Sequence, residues 1–218
     1  MAKLTAQQIA AEKLDGWVYF LGALRTRVAT PDFATGLALV NALGAAAEAA
    51  DHHPDLDLRY TRVDIVLTSH DTGAVTGRDI RMARTISALV ADAGLTQECA
   101  TIALVELALD TPAHTAILPF WTAVLGGEHR VGDDVGDEVR DPHGVLPTVW
   151  FQESGSEEPR QHWHPDVWLD PAQVQPRIDA AVAAGGTLVS DAEAPSFWVL
   201  ADPEGNRVCL CTWQDRTF

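Results

Sequence analysis

Cysteine is scarce in this chain of 218 residues, which contains only Cys99, Cys209 and Cys211. An odd and widely spaced set without a C-x-x-C pair is not a disulfide framework. The first residues lack the apolar core of a signal peptide, and no apolar run is long enough to span a bilayer. The sequence therefore predicts a cytoplasmic protein without a membrane partner.

Basic residues are also few, with 15 Lys and Arg against 31 Asp and Glu and a net charge of −16. A polyanion would be repelled, so nucleic acid is excluded as an expected partner. Residues 1–97 carry 9 basic and 11 acidic side chains, whereas residues 98–218 carry 6 and 20. Of the seven tryptophans, only Trp17 lies in the first part. These breaks predict two domains, 1–97 and 98–218.

The first part shows alternating strand and helix patterns. Residues 17–30 read as a hairpin around Gly22. Thr30-Pro31-Asp32 reads as the start of a helix that ends near Asp51, with Thr30 as its cap and Pro31 as its first residue. Thr76 reads as the cap of a second long helix that ends at Gly94. With a short helix over 5–14 and strands Leu56–Tyr60 and Val63–Leu67, the order is α-ββ-α-ββ-α. This order predicts an α+β fold whose antiparallel sheet has its helices on one face.

Three of the eight histidines, His52, His53 and His70, fall between Glu48 and Asp79. Histidine titrates near neutral pH, which suits proton transfer. A helix C-terminus also favours histidine for electrostatic reasons alone, which is the simpler explanation for the adjacent pair. A metal site is disfavoured because adjacent side chains point in different directions.

The acidic residues of this stretch also have simple explanations. Thr76-x-x-Asp79 fits a capping box, and this role is compatible with a place in an active site. Glu48 and Asp51 fit solvated positions near a helix end, although Asp51 could instead orient a histidine.

The order Glu48, His52, His53, Pro54, Tyr60, His70 and Asp79 resembles the signature of the pterin-4a-carbinolamine dehydratases over residues 10–95. The resemblance implies loss of water from a 4a-hydroxytetrahydropterin, a step that needs neither metal nor cofactor. It implies that His52 and His70 are the acid/base pair, that His53 holds the pterin and that Asp79 belongs to the catalytic set. Substrate binding would fall to Glu48, Asp51, Pro54 and Tyr60.

From Ile102 the pattern restarts as two βαβββ units, each with its helix stopped by a Gly-Gly pair. Three segments carry a resemblance to the glyoxalase/bleomycin-resistance (vicinal-oxygen-chelate) family over residues 102–214: Phe120–Gly127, His164–Trp168 and Asp202–Asn206. By that resemblance, the metal ligands would be Glu106, His164 and Cys209, with His162 nearby. A thiol in place of the last carboxylate favours a metal-free cup, lined by Trp163, Trp168 and Trp198.

The sequence thus predicts a dehydratase domain fused to a glyoxalase-like domain whose ligand it does not identify. Two alternatives remain. The first part could be a non-catalytic dimerisation or pterin-binding module, or the second part could be a metal-dependent lyase or isomerase. The expected partner is a small pterin, and the sequence leaves the oligomeric state open, a homo-oligomer included.

Overall fold

The structure is a computed structural model, and it describes residues 2–132, 136–154, 163–183, 185–201 and 207–216. Helices and strands follow one another along these residues. The helices are α1 (Ala6–Ala11), α2 (Phe33–Ala50), α3 (Gly77–Asp92), α4 (His114–Leu125) and α5 (Pro171–Ala183). The first strands are β1 (Val18–Phe20), β2 (Ala23–Ala29), β3 (Asp55–Arg59), β4 (Arg62–Leu67) and β5 (Thr96–Glu98). The remaining strands are β6 (Leu104–Thr111), β7 (Glu128–Gly132), β8 (Gly136–Arg140), β9 (Val149–Glu153), β10 (Trp163–Trp168), β11 (Thr187–Ser190), β12 (Phe197–Ala201) and β13 (Arg207–Cys211).

The first compact unit, Met1–Ile102, is built on an antiparallel sheet in the order β1-β2-β4-β3, with β5 paired to β2. The β1–β2 turn has Leu21 at φ 48° and Gly22 at φ 77°. Two consecutive positive φ angles match the right-handed twist of a hairpin, which explains why a glycine stands there. The predicted α+β class and helix–strand order are confirmed, and β5 is an additional strand.

The two long helices of this unit begin and end at identifiable residues. The N-cap of α2 is Asp32, whose side chain accepts the Thr35 N–H at 2.7 Å, so the predicted cap at Thr30 was wrong by two residues. At its other end, Asp51 adopts the left-handed conformation at φ 47°. The N-cap of α3 is Thr76, and the predicted capping box with Asp79 is present.

The core of the first unit lies between the helices and one face of the sheet. Strand β4 alternates strictly between buried and half-buried residues, as expected for a strand covered on one side. The largest fully buried side chains of this unit are Phe20, Leu24, Val28, Leu43, Val63, Ile65, Leu67, Val75, Ile86 and Val90.

Helix α2 corrects the expectation that no apolar segment could cross a bilayer. Its 18 residues have a mean hydropathy of 1.4, which is enough by length and composition alone. A helix of a folded domain can pass the same test, and α2 packs on β3, β4 and α3 through Leu39, Leu43 and Ala47. The cytoplasmic location stays a prediction.

The second unit, Ala103–Phe218, contains one sheet in the order β11-β12-β13-β10-β6-β9-β8-β7. Strands β6 to β9 with α4 form one βαβββ repeat, and β10 to β13 with α5 form the other, as predicted. The repeats meet where β10 pairs antiparallel with β6. One face of the sheet is apolar and packs against α4 and α5.

Several local predictions differ from the structure. The predicted boundary between residues 97 and 98 falls inside β5, whose pairing with β2 attaches these residues to the first sheet. Strand β3 ends at Arg59, so Tyr60 lies in the following turn and not in the strand. His162 and the segment Asp202–Asn206 lie outside the described residues.

Candidate functional site

His52 and His53, which follow the end of α2, differ in the direction of their side chains. The left-handed turn at Asp51 lets the His52 N–H donate to the Ala47 carbonyl at 3.1 Å, which closes the helix. After this turn His52 is 7% exposed, whereas the His53 side chain is 54% exposed. Asp51 itself is exposed and serves as the helix cap.

The buried histidine is held by Asp79. Nε2 of His52 lies 2.8 Å from Oδ1 of Asp79, whose side chain is 0% exposed. The other carboxylate oxygen, Oδ2, accepts the Ser69 hydroxyl at 2.6 Å and the Thr76 N–H at 2.7 Å. Because an ionised carboxylate only accepts, Nε2 carries the proton of the neutral ring, and Nδ1 is the ring nitrogen that can accept a proton.

The third histidine lies at the same end of the β3–β4 pair. Asp55 of β3 pairs with Val66 of β4, so the segment before β3 and the segment after β4 meet at one end of the hairpin. His52 precedes β3 by three residues and His70 follows β4 by three. His70 is exposed, and the adjacent Asp71 accepts from the Arg78 guanidinium, which lowers the pKa of that carboxyl.

The predicted substrate-binding residues separate into two groups. Nε2 of the exposed His53 lies 3.1 Å from Oε1 of Glu48, and Pro54 follows at once, so these residues accompany His52. Tyr60 is 72% exposed at the opposite end of the hairpin. Five strand residues span about 17 Å, so Tyr60 lies too far away to share a small ligand with His52.

Ser69 has no role predicted from the sequence, although its hydroxyl donates to the carboxylate that holds His52. A serine just after a strand is common in turns, so its type carries little information. The one signal was its position directly before His70.

The resulting arrangement is suited to proton transfer. It offers one buried imidazole held by a carboxylate and two exposed imidazoles near the same end of the β3–β4 hairpin. A general acid/base reaction needs one proton acceptor and one proton donor, and imidazole can serve as either.

A second set of polar residues lines the sheet face of the second unit that does not pack against the helices. Asp166 pairs with Glu106 on one side and with Cys209 on the other, so the three lie in one row across the sheet. Indole N–H groups reach two of them: Trp168 donates to Glu106 at 2.8 Å and Trp150 donates to Asp166 at 3.1 Å.

Burial changes the acidity of this row. It raises the pKa of Glu106 to about 7, against a hydrogen bond from Trp168 that lowers it. Burial likewise raises the pKa of Asp166, and burial with the neighbouring Asp166 charge raises the pKa of Cys209 to about 12. The row therefore holds its protons more tightly than exposed groups would.

The expected ligand set of Glu106, His164 and Cys209 is not the set that the fold brings together. Among the described residues, the group whose ligand atoms all lie within 4.8 Å is His164, Asp166 and Cys209. Glu106 instead accepts from Trp168. Register is the reason, because Asp166 is the β10 residue directly opposite both Glu106 and Cys209.

The predicted aromatic lining was also partly wrong. Trp163 packs edge-to-face against Trp121, with ring centroids 5.0 Å apart, in the cluster beneath α4. Trp198 packs against the cluster beneath α5. Only Trp168 of the predicted three lies on the polar face, where Trp150 joins it.

Comparisons with known proteins match each unit separately. Residues 2–89 match the family described as pterin 4 alpha carbinolamine dehydratase, and residues 106–211 match the glyoxalase-like domain family. A relative from Mycobacterium avium (strain 104), provisionally named a pterin-4-alpha-carbinolamine dehydratase, is 42% identical over 92 residues, which are 41% of this chain and 98% of that relative.

Two solved structures are similar to one unit each. A transcriptional coactivator/pterin dehydratase from Brucella melitensis has 34% identity and a TM-score of 0.39, covering 40% of this chain and 98% of its own. A glyoxalase/bleomycin resistance protein/dioxygenase superfamily member from Vibrio splendidus 12B01 has 16% identity and a TM-score of 0.36, covering 51% of this chain and 99% of its own.

Proposed function

Because the chain belongs to the pterin 4 alpha carbinolamine dehydratase family through its first unit and carries a glyoxalase-like second unit, we propose that the first unit removes water from a 4a-hydroxytetrahydropterin. The observation that carries this proposal is the buried His52–Asp79 pair, at the end of the hairpin where His53 and His70 also lie.

The proposed reaction moves protons and no net electrons between molecules. The N5–H proton of the pterin is removed, and its electron pair forms the C4a=N5 bond. The C4a–O bond breaks, and the departing hydroxyl takes up a proton to leave as water. The product is a quinonoid dihydropterin. The reaction needs one proton acceptor and one proton donor, placed within reach of N5 and of the C4a hydroxyl.

The surroundings of each histidine suggest how these two roles are divided. His52 has its Nε2–H committed to Asp79, so its Nδ1 lone pair suits the acceptor role toward N5. The Asp79 carboxylate then stabilises the imidazolium that forms. His70, exposed in a turn, suits the donor role toward the leaving hydroxyl, because it can regain its proton from solvent. His53, paired with Glu48, would hold the pterin.

The direct test is to generate a 4a-hydroxytetrahydropterin and to follow formation of the quinonoid dihydropterin by absorbance with purified full-length protein. We expect a rate that increases in proportion to protein concentration and exceeds the buffer rate. An unchanged rate with folded protein would contradict the dehydratase proposal. Retained pterin binding in that case would favour the non-catalytic binding module.

A further inference from the structure

Ser69 occupies a buried position between the two histidines assigned to proton transfer. Its backbone N–H donates to the Ala74 carbonyl at 3.0 Å, and its own carbonyl accepts from the N–H groups of Thr72 and Gly73 at 3.0 and 2.9 Å. These bonds close the turn of residues 69–74 on which His70 is carried. The position of His70 therefore depends on the Ser69 backbone.

The side chain of the same residue faces the other histidine. Ser69 is 1% exposed, and its hydroxyl donates to Oδ2 of Asp79 at 2.6 Å. A second short contact, at 2.8 Å, joins the hydroxyl to Oγ1 of Thr76. Because Asp79 binds His52 through its other oxygen, Oδ1, the carboxylate is held from both sides. A carboxylate fixed in this way has little freedom to rotate.

We propose that Ser69 is a positioning residue that fixes His52 and His70 relative to one another. It does so with its backbone on the His70 turn and with its hydroxyl on the carboxylate that orients His52. The catalytic part of this inference rests on the proposed function. The positional part, which concerns only the His52–Asp79 pair, does not.

The hydroxyl must act through Asp79 for this inference to hold, and the turn supplies a matched control. The Thr72 hydroxyl donates to the carbonyls of Ser69 and Ala74 at 3.1 and 3.2 Å, so it supports the same turn. Neither of these two bonds involves Asp79. Thr72→Ala therefore perturbs the turn while the hydrogen bond from Ser69 to Asp79 remains.

The kinetic test compares Ser69→Ala, Ser69→Thr and Thr72→Ala in the full-length protein. A displacement of about 1 Å at a reacting group can cost about 100-fold in rate, so we expect kcat of Ser69→Ala to fall by about 10- to 100-fold. KM should stay within about twofold, because Ser69 is only 1% exposed and offers almost no surface to a ligand. Ser69→Thr keeps the hydroxyl and should recover most of kcat. Thr72→Ala loosens the turn that carries His70 but keeps the bond from Ser69 to Asp79, so it should lose clearly less kcat than Ser69→Ala. Wild-type kcat in Ser69→Ala, or an equal loss in Thr72→Ala, would overturn the inference.

A second readout does not depend on activity. Nitrogen-15 NMR of the His52 side chain reports which ring nitrogen carries the proton. We expect the Nε2–H form in wild type and Thr72→Ala, and a larger share of the other form in Ser69→Ala, where the carboxylate keeps its bonds from Thr76 but loses the one from Ser69. An unchanged tautomer in Ser69→Ala would overturn the positional part even if the protein proved to be no dehydratase.

Ser69→Cys keeps both measurements possible if Ser69→Ala does not fold. A thiol is a weaker donor than a hydroxyl, so this variant should lie between Ser69→Ala and wild type in kcat and in tautomer ratio. Wild-type values for Ser69→Cys in both measurements would count against the inference.

Discussion

Asp79 accepts the Nε2–H of His52 across 2.8 Å with the same carboxylate that closes the N-terminal cap of α3. The capping box accounts for one oxygen, Oδ2, and the histidine for the other, Oδ1. Helix initiation and orientation of a catalytic candidate are thus joined in one buried side chain. The two roles predicted for Asp79 from the sequence, a helix cap and a member of the active site, are therefore compatible.

Replacing this carboxylate by an amide should affect stability and rate together. Asp79→Asn removes the charge that strengthens each of these hydrogen bonds, and we expect a loss of about 1.5–3 kcal/mol in the free energy of unfolding. kcat should fall as well, because an amide does not stabilise the His52 imidazolium. Urea unfolding and the dehydration assay measure the two effects. Asp92→Asn, which changes an exposed carboxylate at the other end of α3, should alter neither by more than about 0.5 kcal/mol or twofold.

The histidine variants separate chemistry from binding. His52→Ala and His70→Ala should each lose about 10²- to 10⁴-fold in kcat, the usual contribution of a positioned proton-transfer group. His53→Ala should mainly raise KM, because it removes an interaction made equally with ground state and transition state.

Since His52 is buried, His52→Gln is the better-folded alternative to alanine: its amide can still donate to Asp79 but does not titrate near neutral pH. His143→Ala, an exposed histidine of the second unit, serves as the control. Full activity of both His52→Ala and His70→Ala would make the assignment wrong.

How far the sequence predicts this site depends on the kind of interaction involved. Helix caps and strand alternation are local, so Thr76, Asp79 and the β3–β4 pattern can be read from spacing alone. The placement of Tyr60 cannot be predicted in this way. A signature gives only the order of residues along the chain, whereas Tyr60 lies in the turn of the β3–β4 hairpin, at the end opposite to the histidines. The contact of Ser69 with Asp79 cannot be predicted from the sequence either, since it depends on how a turn packs against the start of a helix.

The first unit should be active as an isolated fragment if that fragment includes all of β5. We expect residues 1–102 to fold and to keep dehydratase activity, since the histidines, Asp79 and the whole first sheet lie within them. A fragment ending at residue 95 loses the pairing of β5 with β2, together with the bond from the Gln97 amide to Thr26 at 3.1 Å. It should be clearly less stable in thermal unfolding. A folded but inactive 1–102 fragment would mean that the second unit completes the site.

Glu106 should make the second unit less stable at higher pH. Burial raises its folded pKa from 4.5 to about 7, so between these values the native state keeps a proton that the unfolded state has released. Stability therefore falls as pH rises from about 4.5 to about 7, by up to about 3 kcal/mol, and then levels off. Glu106→Gln keeps an acceptor for Trp168 and does not titrate. Its stability relative to wild type should rise between pH 5 and pH 8.

Six of the seven tryptophans lie in the second part of the chain, so tryptophan fluorescence during unfolding reports mainly on this unit. Glu153→Gln, at an exposed site, is the matched control and should follow wild type at every pH. Parallel curves for Glu106→Gln and wild type would show that Glu106 does not titrate in this range.

We also predict that the protein carries no catalytic metal. A Cys209 thiol with a pKa of about 12 resists the deprotonation that zinc binding requires. Both nearby carboxylates are already hydrogen-bonded, Asp166 to Trp150 and Glu106 to Trp168. After brief chelation and desalting, elemental analysis should find far less than one zinc, iron, nickel or manganese per chain, with dehydratase activity unchanged. A stoichiometric metal that is lost in His164→Ala would refute this prediction and favour a metalloenzyme in the second unit.

The double role of Asp79 affects how sequences diverge over evolutionary time. A lineage that did not carry out the proposed dehydration would still be selected to keep Asp79, because α3 needs its cap. His53 is under no comparable demand, since its side chain is half-exposed and its bond is to the exposed Glu48. Once catalysis was lost, His53 would be replaced early and Asp79 late. A descendant that kept the aspartate but not the exposed histidines would have lost the catalytic activity while keeping the fold.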